Sequence, residues 1–232
     1  MKFVTFAAAP AGEAPETFQA WFVDDYARDF AAANDLATAI VRQSVMPPGA
    51  APQGRGDQAD PAHLPFHAIL EVWLPTAEDF RRIASVTERS LRSRGVRYVS
   101  YRVTPSLEKD PRFAEAGTGG ARPGITYVTP VRWLPGLSPA EARRHWDEHV
   151  PAALRVHASM SKYERNWVDE VMSWSADAVP VDAYADFSFA GVDEWDRFFP
   201  DDAARLEISQ DIASFIHSGS GLFLGDAEGV RR

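Results

Sequence analysis

The residues best suited to move a proton lie in one segment, 134–151, which reads LPGLSPAEARRHWDEHVP. An imidazole titrates near neutral pH and can take up or release a proton. His145 and His149 are one helical turn apart and share a face, with Trp146 beside them. Histidines at this spacing could also ligate a metal. The metalloprotease arrangement, however, needs Glu directly after the first His, and Trp146 stands there, so no metal site is expected. The bland role for His149 is a helix-end histidine bonding carbonyls.

Other side chains could complete a proton-transfer site. Tyr163 could donate to a developing enolate oxygen, or pack as a strand aromatic. Arg132 and Arg165 could each grip a substrate carboxylate, or sit solvated on the surface. Asp186 could orient a histidine or take a proton itself, and Asp182, Glu71 and His67 come from equivalent strand faces. The alternative is that these four lie in water at a rim. His63, His157 and His217 lack supporting context and read as structural.

The elements that must position these groups recur twice. Half one has a strand over 3–7, a helix from 15, and strands over 39–45, 66–74 and 96–103, with a second helix starting at 76–80. Half two has strands over 125–132, 162–168, 181–189 and 221–224, with helices starting at 138–141 and 192–195. Ser138, Pro139 and Glu141 form a capping-box start. The order β-α-β-β-α-β, twice over, is the ferredoxin-like plan, so the fold class is α+β. The divisions are 1–107 for half one, 108–123 for a polar linker and 124–232 for half two. A Pro- and Gly-rich stretch, 47–65, should be a mobile loop.

Side chains alternate along a strand. In the third strands, Phe66, Ala68, Leu70, Val72 and Leu74, and likewise Val181, Ala183, Ala185, Phe187 and Phe189, should pack on the helices. The opposite faces carry His67, Ile69, Glu71 and Trp73, and Asp182, Tyr184, Asp186 and Ser188. If the two sheets pack face to face, these line an enclosed space. Trp73 and Tyr184 favour cover over open water.

Composition narrows the function classes. The chain has 232 residues, with 24 basic against 33 acidic side chains and a net charge of −9. Such a surface argues against nucleic acid, which wants basic charge, but leaves room for a small anionic ligand. Cysteine is absent, which removes disulfides, thiolate metal sites and a thiol nucleophile. No run of about 18 apolar residues exists, so no membrane span is expected. The N-terminal segment reads as a strand rather than a leader, and the expected location is cytoplasmic.

The run 134–151, with Tyr163-Glu-Arg-Asn-Trp167 after it, resembles the EthD-like family. The motif comprises a Pro-Gly-Leu-Ser turn, a helix bearing Trp146 with His149 three residues on, then Pro151 and a strand near Tyr163. Half one keeps Trp21 but has Asp24 at the histidine position, which suggests one competent site and one degenerate half. The resemblance implies a tandem, pseudo-dimeric α+β barrel, as monomer or homodimer. It implies cofactor-free chemistry on small molecules derived from aromatics or polyketides. The narrower expectation is an isomerase acting on an unsaturated acid from aromatic ring cleavage. His149, Tyr163 and Asp186 would be catalytic, and Arg132, Arg165, His67, Glu71, Trp73, Tyr184 and Trp146 would bind substrate. The alternatives are a cofactor-free monooxygenase, cyclase or dehydratase on a polyketide-type phenol, or a non-catalytic binding barrel.

Overall fold

The structure is a computed structural model that describes residues 1–32, 39–44, 66–109, 124–175, 181–219, 222–224 and 228–231, with side chains described except in 39–44 and from 218 onward. The 47–65 loop, His63 and most of the expected linker lie outside the described residues.

Half one runs β1 (Lys2–Ala8), α1 (Pro15–Trp21), α2 (Ala27–Ala32), β2 (Ala39–Ser44), β3 (Ala68–Trp73), α3 (Ala77–Ser93) and β4 (Arg97–Lys109). Half two runs β5 (Ile125–Trp133), α4 (Pro139–Val156), β6 (Lys162–Trp174), β7 (Ala183–Phe189), α5 (Val192–Asp196), α6 (Asp202–Ile212), β8 (Ile216–Gly219), β9 (Leu222–Leu224) and β10 (Glu228–Arg231). The strand order β2-β3-β1-β4 is matched by β6-β7-β5-β8, so both halves are ferredoxin-like. β4 and β6 are longer than their apolar runs predicted, and β4 ends two residues inside the stretch read as linker.

That extra length joins the halves. β4 pairs antiparallel with β6, and β10, in the chain beyond β9, pairs with β2. The last strand of each half thus bonds to the second strand of the other, and the two sheets form one barrel without leaving those edges open.

Each sheet has one face toward its own helices and one toward the barrel interior. The helix side of half one buries Phe3, Ala68, Leu70, Val72 and Leu74 against Phe18, Phe22, Phe80 and Leu91. α3 starts under Thr76, whose side chain accepts from Asp79 N–H at 3.1 Å. Half two buries Ala183, Ala185 and Phe189 against Trp146, Trp195 and Phe198. The interior joins both halves: Val4, Phe6, Ile69, Val99, Tyr101, Val128 and Tyr184 form one cluster. Burying each such aliphatic or aromatic side chain contributes about 1.5–3 kcal/mol, which makes the shared interior a strong bond between halves.

The alternation reading holds within β3 and β7 and fails at their entries. Phe66 and Val181, expected on the helices, belong to the interior cluster because each precedes its strand and escapes the pleat. His67 is displaced for the same reason. It was expected in the interior, but its Nδ1 accepts from Ala9 N–H at 2.9 Å and its ring meets Phe18 of α1.

Candidate active site

α4 presents His149 to α6. The helix opens with the expected capping box: Ser138 Oγ accepts from Glu141 N–H at 3.3 Å, and Glu141 accepts from Ser138 N–H at 2.9 Å. It continues through Pro151 to Val156. Trp146, His149 and Ala153 are buried, the three- and four-residue spacing of one helix face.

His149 Nδ1 donates to Asp211 Oδ2 at 2.5 Å. An ionised carboxylate only accepts, so the proton sits on Nδ1 and Nε2 keeps a lone pair. Asp211 lies in the last turn of α6, where the helix dipole disfavours a carboxylate and a proton-donating partner offsets that cost. Burial lowers the His149 pKa below its usual 6.5; Asp211 opposes the shift and Arg165 adds to it. The ring is therefore neutral, and able to accept a proton, near pH 7.

Aromatic rings surround this base. Phe215 is fully buried 5.8 Å from the His149 ring, and Trp146 lies 6.3 Å from Phe215. Trp133 packs on Trp146 at 5.4 Å and on Trp167 at 5.9 Å. β6 supplies the floor, because Tyr163, Arg165 and Trp167 alternate onto the helix side. Tyr163 OH accepts from Trp146 Nε1–H at 2.9 Å, and its ring stacks on Phe187 at 4.8 Å. Burial raises the Tyr163 pKa, so the phenol stays protonated. Arg165 lies over Trp146 and Trp167, with its guanidinium 5.7 and 5.2 Å from their centroids. Its Nε and Nη2 donate to Glu108 Oε1 at 2.9 and 2.7 Å, and Nη1 is 2.8 Å from Asp147 Oδ1.

The expected site residues therefore separate. His149, Trp146, Tyr163 and Arg165 share the helix side of half two. Asp186 does not join them. It alternates with Ala185 and Phe187, which face the helices, so it points into the barrel, where Lys162 Nζ donates to it at 2.5 Å. Asp186 cannot orient His149 through the sheet; Asp211 does so instead. Asp182 lies at the start of β7 and accepts from Trp133 N–H at 2.9 Å. Arg132 is exposed near the end of β5, and its register partner is Ser218. His157 is structural, as expected: its Nδ1 donates to Phe198 O at 2.8 Å, and burial lowers its pKa to about 4.

Glu71, Trp73, Tyr184 and Asp186 do meet, inside the barrel. Tyr184 OH donates to Glu71 at 2.7 Å, and Lys2 Nζ contacts Glu71 at 2.7 Å and Glu164 at 2.6 Å. Lys2 also donates to Asn166 at 2.9 Å and lies 5.2 Å from the Trp73 centroid. The sequence reading missed Lys2, Lys162, Glu164 and Asn166. The β-type run 162–168 carried the alternation that would have placed Lys162, Glu164 and Asn166 opposite Tyr163 and Arg165.

Half one differs at the corresponding helix. After Trp21 the chain widens into a π-turn over Phe22–Tyr26 before α2. One added residue rotates the rest of the helix by about 100°. Asp24 is exposed where half two buries His149.

These features define an α+β barrel assembled from two ferredoxin-like halves of one chain, with an Asp–His pair on the helix side of the second. Residues 134–219, which include His149 and Asp211, match the model of the EthD domain. The chain is similar in structure to an anthrone oxidase-like protein, at TM-score 0.60 and 11% identity over 100% of this chain and 94% of that one. It is also similar to a candidate monooxygenase of Fusobacterium nucleatum subsp. nucleatum ATCC 25586, at TM-score 0.53 and 7% identity over 100% and 94%. A candidate monooxygenase of Lactobacillus acidophilus NCFM matches at TM-score 0.50 and 7% identity over 97% and 93%. At these identities the likeness is one of fold, and it extends over both halves. No curated protein matches the sequence. Among the described residues, no helix is long and apolar enough to cross a membrane.

Proposed function

We propose that the second half is a proton-transfer site that activates an aromatic substrate, of the anthrone or polycyclic phenol class, for reaction with dioxygen. The observation that carries this reading is the buried His149–Asp211 pair set against a wall of aromatic rings. Names of structurally similar proteins, anthrone oxidase-like and monooxygenase, agree with it.

His149 Nε2 takes a proton from the activated carbon of the substrate, and Asp211 stabilises the imidazolium that results. The carbanion transfers an electron to dioxygen, and the two radicals combine into a peroxide anion. The imidazolium returns its proton to give the hydroperoxide, which loses water and leaves a ketone. A methylene and one O₂ thus become a carbonyl and one water. Tyr163, held neutral by burial, would donate to the resulting oxyanion.

The isomerase expectation assigned Arg132 or Arg165 to hold the carboxylate of an unsaturated acid. Arg165 is engaged by Glu108 and Asp147, and Arg132 is exposed near the end of β5. With Arg165 engaged, the carboxylate clamp that favoured an isomerase loses one of its two candidates, and we favour the oxygenase alternative.

Oxygen uptake with anthrone as probe tests the proposal. His149→Ala should lower the enzyme-dependent rate by about 10²–10⁴-fold, with circular dichroism unchanged. Uptake by the variant equal to that of the parent protein would end this reading.

A further inference from the structure

We propose that Glu108, contributed by the first half, is a specificity-determining residue: it occupies the anion position of Arg165 and makes the second-half site select uncharged aromatics over aromatic carboxylates. The inference rests on the reading of that site as one for aromatic substrates.

A guanidinium beside aromatic rings is a ready seat for an aromatic carboxylate, because the rings cover the ligand's body while the fork of donors takes its charge. Arg165 has this geometry over Trp146 and Trp167, and its side chain is 5% exposed. The seat is filled from within the chain. Two of its donors, Nε and Nη2, converge on Glu108 Oε1, which also accepts from Ser106 Oγ at 2.6 Å. Asp147, 62% exposed, stands 2.8 Å from the third nitrogen, Nη1, as an ion-pair contact without hydrogen-bond geometry.

Glu108 reaches Arg165 through a local distortion. Leu107 pairs with Glu164 and Lys109 with Tyr163, so Glu108 is the extra residue of a β-bulge. A bulge re-aims a side chain at the cost of ladder pairing. Here it turns a carboxylate of half one onto the arginine of half two.

The charge balance then sets the preference. Arg165 faces two carboxylates, Glu108 and Asp147, and Asp211 adds a third negative charge across the site beside a neutral His149. An incoming carboxylate meets net repulsion and must displace Glu108, whereas a neutral phenol or ketone does neither.

Binding of 2-naphthol and 2-naphthoate near neutral pH, read by calorimetry and by quenching of tryptophan fluorescence, tests this without any turnover. The wild-type protein should bind naphthol more tightly by about tenfold or more. Glu108→Gln should gain naphthoate affinity by about the same factor while naphthol changes little. The double variant Glu108→Gln/Arg165→Met should lose that gain. Equal binding of both probes by the wild-type protein overturns the inference, and that comparison needs no variant to fold. So does an unchanged ratio in folded Glu108→Gln. If neither probe binds, the aromatic-site reading falls and takes this inference with it. If the probes bind in the expected ratio but anthrone is not oxidised, only the proposed chemistry falls.

Discussion

His149 and Asp211 meet at 2.5 Å between α4 and α6, 62 residues apart in the chain. The contact pairs a buried imidazole with a half-exposed carboxylate at a helix C-terminus. It fixes the tautomer that leaves Nε2 able to accept a proton.

Asp211→Asn should therefore lower kcat for anthrone oxidation by about 10²–10⁴-fold without unfolding the protein. The carboxylate raises the His149 pKa against the effect of burial, so its removal lets that pKa fall further. The acid limb of the pH–rate profile should move to lower pH. An acid limb that stays in place in Asp211→Asn would mean that another group titrates.

His157 makes an acid-lability prediction. It is neutral in the fold, with a pKa lowered from 6.5 to about 4 by burial between aromatic rings. Because the unfolded chain binds this proton more readily, the stability is complete above pH 6.5 and is lost as pH falls toward 4. The loss over that window is about 3 kcal/mol. Urea melts of His157→Gln should start less stable at neutral pH and show a flatter decline in that window. Parallel curves for variant and parent would rule His157 out as the cause.

The barrel interior makes a charge-balance prediction. Lys2 and Lys162 face three carboxylates, Glu71, Glu164 and Asp186, all buried or nearly so. Two ammonium groups neutralise two carboxylates, and the third is best kept neutral in a low-dielectric interior. Burial raises the Asp186 pKa, only partly opposed by Lys162, whereas Lys2 and Lys162 outweigh burial at Glu164 and lower its pKa. Asp186 Oδ1 also has no hydrogen-bond partner in the fold. Since its folded pKa is raised, the stability associated with Asp186 is present at low pH and falls as pH rises through that value. Asp186→Asn should cost less stability at pH 7 than Glu164→Gln, which removes the carboxylate that both lysines hold ionised. Equal losses in the two variants, measured by urea denaturation, would contradict this assignment.

Much of this protein is written in local sequence. Period-2 alternation in β3 and β7, and the Ser138–Glu141 capping box, are near-neighbour properties, and they survive folding because nothing distant competes with them. The repeated β-α-β-β-α-β order, and the face shared by Trp146 and His149, arise from the same short-range rules.

The joining of distant segments was decided only by the tertiary structure. Alternation places Asp186 on a face but does not say which groups lie across it, so its assignment to His149 failed while Asp211 went unseen. No periodic signal marks an aspartate in the last turn of α6 as the partner of a histidine on α4. Likewise Glu108, which read as the first residue of a linker, acquires its role from a bulge in the pairing of β4 with β6. Register between strands from different halves depends on how the barrel closes, and closure is a property of the whole sheet.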